Sequence, residues 1–191
     1  MKNYLTAMAV LLLTAGAAQA QMFDDSFASV LGGWSYHPGL TLGTTRPGVS
    51  DSYNVGARIG TALPMLPGFT VDADYFYNRG GFGGGRGFNS QSVMGDLIYH
   101  VPADFIPVPL PFSLYGGGGL GVVNDSLSGA LQGSSTVMGW QAIGGAEFPI
   151  SDTTSMFAEY RYQNAHDANA GVTKGVGNTS DSVSVGVKYH F

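Results

Sequence analysis

The 191-residue sequence contains no cysteine. That excludes disulfide staples and thiolate metal sites, whatever compartment the chain reaches. Charge is sparse, at 11% of residues, and thirteen acidic side chains outnumber eight scattered basic ones. An acidic chain without a basic patch lacks the electrostatic footprint of a nucleic-acid binder. Long apolar runs are missing as well: no segment approaches the roughly 18 uninterrupted apolar residues of a spanning helix. Disorder is excluded by the aromatic content of 12%, because disordered chains are poor in aromatics. What the chain has in excess is glycine. Its thirty glycines are about twice the average usage of roughly 7%, which suits many strands joined by glycine-rich connections.

The first twenty residues read as a targeting segment. Met1-Lys2-Asn3 is a positive leader, Ala7 to Ala18 is a short apolar core, and Ala18-Gln19-Ala20 has the small-x-small pattern of a cleavage site. Residues 1–20 are therefore expected to be removed, leaving one domain over 21–191. No cysteine stands at the cut, so a lipoprotein is not expected.

Period-2 alternation dominates the remainder. At the C-terminus Val183, Val185, Val187, Tyr189 and Phe191 share one face, while Ser182, Ser184, Gly186, Lys188 and His190 share the other. Strict alternation of this kind marks a strand with one apolar and one polar face. It recurs around Tyr53–Gly60, Phe69–Tyr77, Ser92–Val101, Phe112–Val122, Met138–Phe148 and Ser155–Tyr162. An eighth strand runs through Trp34, Tyr36, Leu40 and Leu42. Pro38 interrupts it, and proline removes a ladder donor, so this strand either starts after Pro38 or carries a bulge there.

The connections alternate too. Thr44–Ser52, Asn78–Asn89, Asn124–Ser135 and Gln163–Ser180 are polar and mostly long, whereas Leu63–Gly68, Pro102–Pro111 and Pro149–Asp152 carry proline and are mostly shorter. Long loops at one end and short turns at the other are expected of a barrel in an outer membrane.

The charged residues say which face is wet. Arg58, Asp72, Asp74, Asp96, Glu147, Glu159, Arg161 and Lys188 all fall on the parity opposite the apolar face. A soluble barrel would place charge outside and apolar residues inside; here the order is reversed. The expected fold is therefore an all-β, eight-stranded, antiparallel up-and-down transmembrane barrel. Its interior is just wide enough to be filled by side chains. Three cations and five anions in that space are expected to pair among themselves, because unpaired buried charge is costly. Tyr77, Tyr99, Trp140, Tyr189 and Phe191 stand toward the ends of the apolar faces, where interfacial girdles form.

Two stretches carry a family resemblance: Gly139-Trp140-Gln141-Ala142-Ile143-Gly144-Gly145-Ala146-Glu147 and Phe157-Ala158-Glu159-Tyr160-Arg161-Tyr162. The glycine run Leu114–Gly121 and the ending Tyr189-His190-Phe191 add to it. The chain resembles the small outer-membrane β-barrel superfamily, the group of the OmpA transmembrane domain and the OmpX-like proteins. The resemblance implies the bacterial outer membrane, with lipid and lipopolysaccharide as surroundings and a monomeric state. It also implies that Tyr189 and Phe191 form the terminal signal read by the barrel-assembly machinery. The sequence ends with this strand, so the peptidoglycan-binding domain of full-length OmpA is not expected.

No other motif points to chemistry. Gly116–Gly121 matches G-x-G-x-x-G, but a dinucleotide site needs a helix next, and Val122-Val123-Asn124-Asp125 continues a strand. Gly80–Gly87 lacks the Lys-Ser/Thr of a phosphate loop; it reads as a surface loop whose Phe82, Arg86 and Phe88 are exposed to a partner. Asp72 and Asp74 form a carboxylate pair, for which neighbouring cations supply a structural explanation. His37, His100, His166 and His190 have no metal-ligand spacing, and none begins the His-x-Ser-Asn motif of eight-stranded lipid A deacylases. No catalytic residue, cofactor or metal is expected. The leading expectation is a structural or surface-interaction barrel acting through its loops on an unknown extracellular partner. An outer-membrane enzyme acting on lipid or peptide, or a narrow small-solute pore, is the alternative.

Overall fold

The computed structural model describes residues 25–37, 41–42, 52–82, 86–102, 111–128, 133–170 and 173–191. The described residues form one closed antiparallel sheet. Its strands are β1 (Ser26–Tyr36), β2 (Thr41–Leu42), β3 (Ser52–Ala62), β4 (Phe69–Phe82), β5 (Arg86–His100), β6 (Ser113–Ser128), β7 (Gly133–Pro149), β8 (Thr154–Ala170) and β9 (Thr173–His190). β1 pairs with β3, from β3 onward each strand pairs with the next one along the chain, and β1 pairs with β9 to close the ring. β2 also pairs with β9 and continues the first stave, so the barrel has eight staves. The β1–β9 pairing closes the sheet on itself, which is what a lipid environment demands.

The first stave differs from the sequence expectation. It begins at Ser26, well before Pro38. Pairing with β9 runs to Tyr36–Asp181 and resumes at Thr41–Gly177 with a one-residue offset. A proline has no N–H to give to the ladder, and the interruption falls where Pro38 stands in the sequence. The upper connections differ as well. Asn78–Asn89 is for the most part paired strand, with β4 and β5 in register out to Phe82–Arg86. Likewise β6 and β7 pair out to Leu127–Gly133, and β8 and β9 continue past irregularities at Ala165 and Ala168 to Ala170–Thr173. Polar sequence there marks the end of the apolar band and not the end of pairing. Residues 43–51, and residues 1–20 with the expected export segment, lie outside the described residues.

The short connections lie at the other end, together with Ser26 and Phe191. Between β3 and β4 the turn is closed by Leu63 N–H to Phe69 O at 2.8 Å and Leu66 N–H to Leu63 O at 3.0 Å. Gly68 has φ +84° in this turn, a left-handed conformation that a side chain would strain.

Parity along the staves is as the alternation predicts. Val30, Trp34, Val55, Val71, Val93, Leu97, Leu120, Met138, Met156, Val183, Val185 and Val187 point outward and are exposed. Their inward neighbours are buried. Aromatic contacts mark two belts on the outside. The lower belt holds Phe69–Tyr99, Phe112–Phe148 and Tyr189–Phe191, with ring centroids 4.8, 5.1 and 5.4 Å apart. The upper belt includes Trp34, Tyr53, Tyr160 and the Trp140–Tyr162 pair at 5.4 Å.

Candidate functional site

The interior is the chemically distinctive part of the molecule, and it is layered. β3 brings Arg58, β4 brings Asp72 and Asp74, and β8 brings Glu159 and Arg161 to one level, because inward positions recur every second residue. Arg58 Nη2 donates to Asp74 Oδ2 at 3.1 Å and to Glu159 Oε2 at 3.0 Å. Arg161 Nη2 donates to Asp74 Oδ2 at 2.7 Å and to Glu159 Oε1 at 3.0 Å. Two guanidinium groups and two carboxylates thus share a ring of charge-assisted hydrogen bonds, the strong class. Tyr115 Oη donates to Glu159 Oε2 at 3.1 Å, and the Arg161 guanidinium lies 4.1 Å over the Phe76 ring. Leu31, Phe76, Ile98, Tyr115, Ile143 and Phe157 pack as one buried apolar cluster, so the axis of the barrel is filled.

Above this ring the interior is polar, with buried Ser, Asn and Gln side chains and Asp125. Ser35 Oγ donates to Asn78 Oδ1 at 2.6 Å and accepts from Asn54 Nδ2 at 3.0 Å. Ser184 Oγ donates to Asn54 Oδ1 at 2.8 Å, and Gln163 Nε2 donates to Ser92 Oγ at 3.0 Å. Met94, Val123 and Ala165 make a small apolar layer nearby. Phe88 is fully buried and its ring centroid is 5.1 Å from that of His37. This corrects the expectation that Phe88 is exposed to a partner: β5 continues past Asn89, so position 88 takes the inward parity. The side chains of Phe82 and Arg86 lie outside the described residues.

Below the ring, Lys188 pairs with Glu147. Glu147 also accepts from Ser155 Oγ at 2.5 Å and lies 3.4 Å from His190 Nε2. The Lys188 ammonium sits 4.7 Å over the Phe27 ring. Lys188, Glu147, His190 and Phe27 line a mouth cavity of about 340 Å³, together with Asp25, Thr70, His100 and Ser113.

All eight predicted interior charges therefore point inward, but they are not used equally. Arg58, Asp74, Glu159 and Arg161 meet in the ring, and Lys188 meets Glu147. Asp72 makes a longer ion pair, with Arg58 Nε at 3.4 Å. Among the described residues Asp96 has no cation within ion-pair distance, and it accepts from Gln141 Nε2 at 2.7 Å. Sequence reasoning missed Gln141, Tyr115 and the Ser/Asn layer as members of the network. Their inward parity was legible, but nothing local says which inward groups meet across a barrel. The glycine run proves to be strand: a Cβ on Gly119 would collide with the Asp96 carboxylate and the Gly95 carbonyl. Tyr189 and Phe191 lie on the outer face of the last stave, and the Phe191 N–H donates to Ser26 O at 2.9 Å.

The family model described as "Outer membrane protein beta-barrel domain" matches residues 6–191. Among solved structures, Neisserial surface protein A superposes with a TM-score of 0.67 at 17% identity, covering 87% of this chain and 97% of that one. OprG of Pseudomonas aeruginosa gives 0.55 at 14% identity, covering 90% and 99%. Ail, the attachment invasion locus protein of Yersinia pestis, gives 0.52 at 18% identity, covering 89% and 100%. At these identities the likeness is one of fold. No curated protein sequence matches the chain.

Proposed function

Because the chain belongs to the outer membrane protein beta-barrel domain family and so resides in the bacterial outer membrane, we propose that it is a closed scaffold presenting tall hairpins to partners outside the cell. The observation that carries this reading is the contrast between the two ends of the same staves. Inside the apolar band, arginine–carboxylate bonds cross the axis and apolar side chains pack around them. Above the upper belt, β8 and β9 continue as a paired ladder. From Tyr162 to the strand end at Ala170 the rise is roughly 26 Å along the strand, at about 3.3 Å per residue. That length has no hydrocarbon to span, and projecting segments on a rigid frame commonly carry recognition.

In this reading residues 1–20 are the cleaved export segment and Tyr189 and Phe191 form the assembly signal. The barrel acts as a monomer in lipid and lipopolysaccharide, and no residue is assigned a catalytic role. Planar-bilayer recording tests the closed interior: no steady unitary conductance is expected, and a steady one overturns the scaffold reading in favour of a pore. Expression is expected to leave the mass spectrum of lipid A unchanged; a modified lipid A favours the enzyme reading. Replacing Gly80–Phe88 by a two-residue Asn-Gly turn tests the hairpins. Cells displaying the shortened chain are expected to lose attachment to surfaces that bind the full chain, with equal amounts of heat-modifiable barrel in both. Equal attachment removes this hairpin from the function.

A further inference from the structure

The interior charges do not balance. Four carboxyl groups, on Asp72, Asp74, Asp96 and Glu159, surround two guanidinium groups, on Arg58 and Arg161, and each of these residues is at most 5% exposed. Lys188, on β9, is held by Glu147. Asp74 and Glu159 take most of the arginine donors. The surplus falls on Asp72 and Asp96, which are directly opposite one another on β4 and β5. Like charges so placed destabilise a sheet, and a buried charge without a partner is costly.

The two aspartates are not equivalent. Asp72 has Arg58 Nε at 3.4 Å, the Thr70 hydroxyl as a donor and Lys188 as a second cation nearby. Among the described residues Asp96 has no cation at ion-pair distance; Arg58 and Arg161 act on it from farther off, and Asp74 repels it. Tyr115 on β6 is turned to Glu159, His100 and Glu147 lie lower, at the mouth, and the inward residues of β1 carry no charge. Asp96 Oδ1 accepts from Gln141 Nε2 at 2.7 Å. The Gln141 amide is fixed in that orientation, because its Oε1 accepts from Arg161 Nη1 and Gln163 Nε2, each at 3.3 Å. Asp96 Oδ2 is buried without a hydrogen-bond donor. The space around the pair is closed. A Cβ on Gly119 would lie 1.8 Å from Asp96 Oδ1, one on Gly60 would lie 2.6 Å from Asp72 Oδ1, and neither aspartate lines the mouth cavity. A proton is the neutralising group that needs no volume.

We propose that Asp96 is a neutral carboxylic acid at physiological pH, its proton carried on Oδ2 and shared with Asp72, and that this proton couples the stability of the barrel to pH. Of two adjacent buried carboxyl groups one keeps its proton, because like charges at that separation disfavour ionisation of both. The chain takes the proton from water on folding. On unfolding Asp96 returns it at any pH above the ordinary aspartate value of about 4. The stability that the proton contributes is therefore complete below that value. It is lost as pH rises to the point where Asp96 ionises in the folded barrel. The slope is that of one proton, about tenfold in the unfolding equilibrium constant per pH unit. This inference is independent of what the hairpins recognise.

The test uses the full chain refolded in a detergent free of ester carbonyls, with infrared spectra and urea unfolding followed against pH. At neutral pH the carbonyl stretch of a protonated carboxyl group is expected above the amide band, and it is missing from Asp96→Asn. Asp72→Asn, which removes the opposing charge, loses the band at a lower pH than the wild type. The wild type is expected to lose stability relative to Asp96→Asn, whose amide stands in for the acid, between about pH 5 and about pH 9. No band in the wild type, a band that survives in Asp96→Asn, or a stability difference that is constant with pH overturns the proposal. Should Asp96→Asn fail to fold, the wild type and Asp72→Asn still decide: a missing band in the first, or an unshifted one in the second, overturns the shared proton.

Discussion

Arg161 grips both oxygens of Asp74, with Nη1–Oδ1 at 3.0 Å and Nη2–Oδ2 at 2.7 Å. These residues sit on β8 and β4, which lie four staves apart in the ring of eight. The bond therefore spans the barrel from wall to wall. A bidentate arginine–carboxylate pair fixes both distance and orientation, so this contact sets how far the two walls stand apart. Glu159 and Arg58 complete the crossing.

Removing one member leaves the others buried without partners. Glu159→Leu deprives Arg58, Arg161 and the Tyr115 hydroxyl of an acceptor. A cost of about 3–5 kcal/mol is expected, read from urea unfolding in lipid vesicles. Unfolding at the wild-type midpoint would show that the ring contributes little to stability.

Glycine positions on the two faces are expected to respond oppositely. Gly119→Val drives a side chain into the Asp96 carboxylate and should cost about 1–3 kcal/mol or more, as overpacking does. Gly144→Ala adds a methyl that meets nothing within 4 Å and should leave the unfolding midpoint in place. Equal effects from the two substitutions would contradict the interior packing.

Parity on the last stave gives a third test. Val185 points outward in the middle of the apolar band, and Val185→Arg is expected to cost about 2–4 kcal/mol in a bilayer. Its neighbour Ser184 points inward to Asn54, and Ser184→Ala should cost only about 1 kcal/mol, the usual worth of a hydrogen bond. The reverse ranking is incompatible with an outward Val185.

The two tryptophans offer a spectroscopic check. Trp34 and Trp140 are the only tryptophans in the sequence, and both face outward in the upper belt. Emission should be quenched by bromine placed high on the lipid chains, and weakly by bromine at the chain ends. Strong quenching at the bilayer centre would displace the belt from the interface.

The sequence by itself determined the faces. A period of two is a property of any extended chain, so once Val183, Val185 and Val187 alternate with Ser182, Ser184 and Lys188, the division is settled locally. The restriction of Arg58, Asp72, Asp74, Asp96, Glu147, Glu159, Arg161 and Lys188 to the other parity then says which face is lined with charge. The number of staves, the closed antiparallel order and the two belts follow from the same local pattern. Element ends were less legible. Paired strand outlasts the apolar band in the upper hairpins, because backbone pairing does not require apolar side chains, and Phe88 was misassigned for that reason.

Only the tertiary structure decided which interior groups meet. Sequence distance carries no such information in a closed ring: Asp74 and Arg161 are far apart along the chain and also lie on opposite walls. Register and stagger between staves bring Arg58 to Asp74 and Glu159, turn Gln141 toward Asp96, and leave Asp72 and Asp96 side by side with unpaired oxygens. Local alternation fixes the direction in which a side chain points. The partner it finds depends on how far each stave slides along the next, and that is set by all eight staves closing together.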